Sequence, residues 1–147
     1  LTTPFKAYPL ELALPGSFRA SHSLPGRPEL HAHDWQVEWI LSGNMNPETA
    51  MVADLLDLHR VLQPLLARLE GTNLHQSLAG DPGDALATLA SRFPTCEALA
   101  CLLERTSKGV LAAEPGLAGL RLLSVAVRLA EPGAELSWGW ARVRCQE

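Results

Sequence analysis

The chain has no long apolar run, no basic cluster and no paired-cysteine pattern, and each absence removes a class of function. Its longest apolar stretches, such as residues 117–127, are cut by Gly119, Arg121 and Ser124. They fall well short of the roughly 20 apolar residues that span a bilayer. The opening Leu1-Thr-Thr-Pro-Phe5 has no basic segment followed by an apolar one, so no targeting signal is read there. Acidic residues number 16 against 12 Lys and Arg, for a net charge of −4. Such a chain is a poor ligand for nucleic acid or an anionic membrane. The three cysteines, Cys96, Cys101 and Cys145, are odd in number and widely spaced. They fit neither a disulfide framework nor a CxxC zinc site, and read as free thiols of a reducing cytoplasm. Aromatics are scarce at 5%, half of them tryptophan.

What remains is an ordinary folding unit. Hydrophobic residues at 47% and charged residues at 19% exclude disorder as the main state, and 147 residues suffice for one core. We expect a single domain over residues 1–147, with residues 1–8 as an extended N-terminal arm. Leu10, Leu12 and Leu14 alternate with Glu11 and Ala13, the period of a half-buried strand. Pro15-Gly16 should break or bulge it before Phe18, Ala20 and His22 resume the alternation. Residues 23–29, with two prolines and a glycine, read as a loop. Trp35, Val37, Trp39 and Leu41 then mark a second strand.

The middle is helical. Leu55, Leu58, Leu62, Leu65, Leu66 and Leu69 share one helix face, Asp54 caps the start and Gly71 the end. Pro64 should kink or split this helix. A short helix over residues 84–91 and a strong one capped by Thr95, with Cys96, Leu99, Leu102 and Leu103 inward, follow. Val125, Val127, Leu129 and Glu131 share the parity of a third strand. Pro132-Gly133 reads as a turn before a fourth strand through Trp138 and Trp140. Strand, strand, helix, helix, strand, strand is an α+β pattern: an antiparallel sheet with helices on one face.

The chemistry concentrates in histidine. His31 and His33 lie two apart on a strand, so they share a face about 6.5–7 Å apart along the backbone. His22 ends the preceding strand, and an antiparallel partner brings it alongside. Three neutral imidazoles plus an open position form the ligand set of a catalytic zinc site. An HxH pair alone is more often a surface feature; the third histidine is what makes the case. His59, between Leu58 and Arg60 on a helix, reads as a solvated residue.

Five motifs in order resemble one family. Phe18-Arg-Ala-Ser-His22-Ser-Leu24 resembles F-x-A-A-H-x-L, and His31-Ala-His33-Asp-Trp35 resembles H-G-H-x-Y/W. Met51-Val-Ala-Asp54-Leu55 is similar to G-M-V-x-D-F, Pro94-Thr95-Cys-Glu97-Ala-Leu-Ala100 to P-T-x-E-N-x-A, and Val127-Arg-Leu-Ala-Glu131-Pro to V-x-V-x-E-T. These are the motifs of the 6-pyruvoyl-tetrahydropterin synthase and 6-carboxy-tetrahydropterin synthase family. The resemblance implies the T-fold, a four-stranded antiparallel sheet with two helices on one face (ββααββ). It implies assembly into barrels, commonly homohexamers, with sites between subunits, and zinc on His22, His31 and His33. It also implies that Glu131 anchors a pterin, with Thr95 and Glu97 assisting. A carboxylate suits a pterin because it accepts two parallel N–H bonds from a guanidine-like edge. On residue chemistry alone, Glu131 is equally an exposed strand-end acid, and Thr95 and Glu97 a helix cap and a first-turn acid.

The departures bear on activity. Where the family has a cysteine four residues before H-G-H, this chain has Arg27. Where it has Leu-Asp-His-x-x-Leu-Asn, this chain has Leu69-Glu-Gly-Thr-Asn-Leu74-His75, so Glu70 replaces Asp and Gly71 replaces His. Three readings follow. The chain is a lyase of aldolase type acting on a dihydropterin such as dihydroneopterin or its triphosphate. Glu29 is then the base, sharing strand parity with His31 if the strand starts early, and Glu70 and His75 are candidate proton-transfer groups. His75 is equally a loop or helix-flank residue. Alternatively the chain binds zinc and a pterin or purine without turnover, or it is a structural subunit of a T-fold assembly. Arg27 suits an anionic group, or is a solvated loop residue.

Overall fold

The computed structural model describes residues 8–130 and 139–146. Strands β1 (Pro9–Leu24) and β2 (Arg27–Asn44) make one long antiparallel hairpin. Then come α1 (Leu55–Ala67), the two-residue β3 (Thr72–Asn73), α2 (Leu74–Ser77), α3 (Ala85–Arg92) and α4 (Cys96–Ala112). A 3-10 turn (Pro115–Leu117), β4 (Arg121–Ala130) and β5 (Ala141–Arg144) complete the order. The sheet runs β3-β1-β2-β4-β5, antiparallel except for β3 against β1. No helix among the described residues is long and apolar enough to cross a membrane.

Alternation decides which sheet face is covered. Leu14, Phe18, Ala20 and His22 of β1 and His33, Trp35, Val37, Trp39 and Leu41 of β2 are buried, and their neighbours are not. In β4, Leu129, Val127 and Val125 stand opposite Trp35, Val37 and Trp39. Leu58, Leu62 and Leu66 of α1 and Leu99 and Leu103 of α4 close over this face. Each such leucine contributes about 1.5–3 kcal/mol when fully buried. Trp39 donates its indole N–H to the Ser107 hydroxyl at 2.9 Å, a buried bond that ties α4 to the sheet. The other face is polar, with ion pairs Arg19–Asp34 at 3.2 Å and Arg142–Glu38 at 2.8 Å.

The N-caps expected at Asp54 and Thr95 form and Asp84 adds a third, while α1 ends at Arg68 rather than at Gly71. Asp54 accepts from the Leu56 N–H, Asp84 from Ala87 and Thr95 from Ala98. Several expectations need correction. Among the described residues, α3 falls on the short helix expected over residues 84–91, while α2 is an added short helix and β3 an added strand beside the main ββααββ elements. Pro15-Gly16 does not interrupt β1, because, among the described residues, 9–19 have a strand neighbour on one side only, and an edge strand tolerates a missing N–H. Gly16 is needed for another reason. A Cβ there would fall 2.5 Å from Leu66 Cδ1 and 2.8 Å from Trp39, so α1 rests directly on the strand. The loop over residues 23–29 shrinks to a turn at Pro25-Gly26, since β2 begins at Arg27. Pro64 does not split α1. It lies on the exposed side, with only three helical residues after it, and buried Leu62 and Leu66 hold the flanks. Leu55, assigned to the inner face, is exposed. Glu131, the Pro132-Gly133 turn and Trp138 lie outside the described residues.

Candidate metal centre

The hairpin register brings the histidines together. His22 stands directly opposite His31, and Ala20 opposite His33, so all three side chains share one end of the covered face. Their ring centroids are 4.7, 5.2 and 4.8 Å apart. One nitrogen from each ring lies within 4.8 Å of the others. Trp35 forms the floor, its ring 4.9 Å from His22 and 6.2 Å from His33. Its indole N–H donates to the Ala20 carbonyl at 3.1 Å, which keeps that floor in place.

Main-chain carbonyls set the tautomers. His22 Nδ1 lies 2.7 Å from the Pro94 carbonyl, and His31 Nδ1 lies 2.8 Å from the Glu29 carbonyl. A carbonyl only accepts, so both rings carry the proton on Nδ1 and present a lone pair on Nε2. His22 is 1% exposed, and its Nε2 has no hydrogen-bond partner among the described residues. Burial holds its imidazole below the usual value. The Pro94 bond opposes this, and His31 and His33 push it down further. A buried, neutral imidazole with an unpartnered lone pair, facing two more imidazoles, fits a divalent metal such as zinc.

The other expected residues fall into place unevenly. Thr95 and Glu97 follow Pro94 at the start of α4; the Thr95 hydroxyl oxygen accepts from the Ala98 N–H and Glu97 is exposed. Strand β2 does start early enough to include Glu29. However, between the pairs His22–His31 and Leu24–Arg27 one residue of β1 (Ser23) faces three of β2 (Pro28, Glu29 and Leu30), so Glu29 sits in a bulge. Its carbonyl accepts from His31, and the residue is exposed. Such bulges re-aim side chains beside sites. Arg27 is exposed at the turn.

Glu70 accepts the Arg19 N–H at 2.7 Å, and the Gly71 N–H returns to the Arg19 carbonyl at 2.7 Å. The segment that replaces the family's Asp-His pair thus seals the edge of β1. Gly71 has φ +71°, a conformation that suits glycine. His75 is close by, with both ring nitrogens engaged by main-chain groups. None of the cysteines joins the cluster. Burial pushes the Cys96 and Cys145 thiols up to about 11, away from nucleophilic thiolates.

Sequence reasoning missed the carbonyls of Ser91 and Pro94, because a main-chain group leaves no residue signature. Two clefts of about 680 and 580 Å³ open along β1 on its α1 side, and neither is lined by the three histidines. The histidine cluster is therefore not set in either of these clefts.

Comparison with known proteins agrees with this geometry. A family model described as 6-pyruvoyl tetrahydropterin synthase matches residues 11–133. A putative 6-carboxy-5,6,7,8-tetrahydropterin synthase of Archaeoglobus fulgidus is 35% identical over 65 residues, 42% of this chain and 56% of that protein. The match thus spans about half the length of that relative. The structure of 6-pyruvoyl tetrahydropterin synthase from Caenorhabditis elegans superposes on 97% of this chain and 100% of its own, with TM-score 0.70 at 17% identity. A Plasmodium vivax 6-pyruvoyltetrahydropterin synthase, altered to alanine at a glutamate described as a catalytic residue, covers 94% and 99%, with TM-score 0.61 at 15% identity. At such identities the likeness speaks for the fold, which is the T-fold, and the family model reaches from β1 past the end of β4. The chain belongs to the 6-pyruvoyl tetrahydropterin synthase family.

Proposed function

We propose that this chain is a zinc-dependent, pterin-synthase-like lyase that cleaves the side chain of a dihydropterin such as dihydroneopterin or its triphosphate. The observation that carries the reading is the His22 Nε2 lone pair, buried, unpartnered and facing His31 and His33. These three residues would hold the metal. When bound, it supplies Lewis-acid polarisation of the substrate's side-chain oxygens. Glu131 anchors the guanidine-like edge of the pterin, and Thr95 and Glu97 assist from the start of α4. Glu29 is the base. It takes the proton of a side-chain hydroxyl as the adjacent C–C bond breaks, and that proton goes back to the carbon left on the pterin. The Plasmodium vivax relative, with a glutamate named as catalytic, is a precedent for carboxylate chemistry on this fold. Glu70 and His75 carry no proton to or from the substrate in this reading, since both are committed to main-chain groups.

The pocket is completed by neighbouring copies in a homo-oligomeric barrel, a homohexamer by family resemblance. Among the described residues, 9–19 of β1 have one strand neighbour, and the histidines lie outside the two clefts described above. Three free thiols suit a cytoplasmic setting.

Zinc-loaded protein incubated with dihydroneopterin and its triphosphate, followed by chromatography of products, tests the proposal. Turnover by the wild type and its loss in Glu29→Gln are the expected results. Unchanged turnover in Glu29→Gln removes Glu29 from the reaction. A second reading has its own support in the commitments of Glu70 and His75 and the raised thiols. In it, the chain binds zinc and a pterin without turnover. Calorimetric pterin binding with no product decides for that reading.

A further inference from the structure

His75 stands where the family motif quoted above ends in asparagine, and the structure gives it a defined task. Strand β3 pairs with Ala20 and Ser21 of β1 and then stops. The main-chain N–H of Ser23, one step past His22, would be left at a bare sheet edge. An unmatched donor there costs stability and lets the strand end fray. His75 fills the gap. Asn73 caps the short α2 by accepting the His75 N–H at 3.0 Å, which sets the ring beside β1. The ring then bridges two elements: Nε2 accepts the Ser23 N–H at 3.0 Å, and Nδ1–H donates to the Ser91 carbonyl at 2.8 Å. Both bonds agree on one tautomer. The Ser23 hydroxyl adds a contact to Nε2 at 3.1 Å.

The same connector holds His22. Ser91 lies at the end of α3 and Pro94 just before α4, and the Pro94 carbonyl takes the His22 Nδ1 proton at 2.7 Å. Two successive β1 residues are thus tied to one short segment, Ser23 through the His75 ring and His22 directly. We propose that His75 is a positioning residue for the metal centre: it locks the β1 main chain and the α3–α4 connector together, so that His22 Nε2 points at His31 and His33. The inference rests on the reading of the histidine cluster as a metal site. Neither nitrogen of His75 is available to a substrate proton, so its effect on the site is exerted through His22. Outer partners of this kind matter because a metal-ligating ring must be held in orientation before the metal arrives.

The test is zinc affinity, measured by competition with a chromophoric chelator, beside thermal melting of the metal-free proteins. His75→Ala should bind zinc about 10–100-fold more weakly than the wild type. His75→Phe keeps the ring's bulk but has no nitrogen, and should be weakened to a similar degree. His75→Gln restores an acceptor at the reach of Nε2 and should recover most of the affinity. A purely structural role would lower the melting temperature of the metal-free variants and leave zinc affinity unchanged, which overturns the proposal. Should His75→Ala fail to fold, equal affinities for His75→Phe and His75→Gln overturn it. A wild type that binds no zinc fails earlier: it removes the metal reading itself, and the role of His75 with it.

Discussion

Replacing His22 with leucine separates what the histidine costs the fold from what it contributes with metal bound. In the metal-free chain the buried Nε2 has no partner among the described residues. An unpaired buried polar atom costs about 1–3 kcal/mol. Leucine removes that cost and fills similar space, but it leaves the buried Pro94 carbonyl without its donor, an unsatisfied acceptor that costs about the same 1–3 kcal/mol. The two effects offset each other, so metal-free His22→Leu should match the wild type to within about 1 kcal/mol. With zinc the two must diverge. At free zinc 100 times the dissociation constant, the wild type gains about 2.7 kcal/mol. For a chain near this length, 1 kcal/mol moves the melting temperature by about 2–4 °C, so the rise should be about 5–11 °C. His22→Leu should show little of it. The assay is thermal melting followed by circular dichroism, with chelator and with buffered zinc. Equal zinc shifts in the two proteins, or none in either, would refute the reasoning.

The pH dependence has a defined sign. Burial lowers the His22 value in the folded state, so the unfolded chain binds the proton more readily. The metal-free wild type should therefore lose stability as pH falls below about 6.5, and His22→Leu should lack that slope in urea titrations at pH 7.5 and 5.5. Ser107→Ala leaves the buried Trp39 N–H without an acceptor and should cost about 1–3 kcal/mol in urea unfolding; a neutral result would mean that the indole finds another partner. Gly71→Ala should cost about 1–2 kcal/mol through its positive φ alone, because nothing lies within 4 Å of an added Cβ. Cys96, with its thiol pushed up to about 11, should react with iodoacetamide at pH 8 on the order of 100-fold more slowly than an unperturbed cysteine. Peptide mapping of the labelled protein reads this directly.

Much of the site could be read from residues alone. The two-residue spacing of His31 and His33, with His22 closing the previous alternating run, requires only a strand and an antiparallel neighbour to converge. The caps Asp54 and Thr95 were legible because a helix start is a local event, settled by one side chain and the next turn. Other features were not local. Whether Pro15-Gly16 interrupts β1 depends on which edge has a neighbour, and whether Gly16 can change depends on Leu66, fifty residues away in the chain. The place of Glu29 depends on a hairpin bulge that no composition rule locates.

By itself, the sequence determined the fold class, the order of the main elements and the three histidines, because periodicity and caps are written in side chains. Only the tertiary structure decided how those histidines are held. The tautomers of His22, His31 and His75 are set by the carbonyls of Pro94, Glu29 and Ser91. Every residue carries the same carbonyl, so only folding selects which one meets a ring.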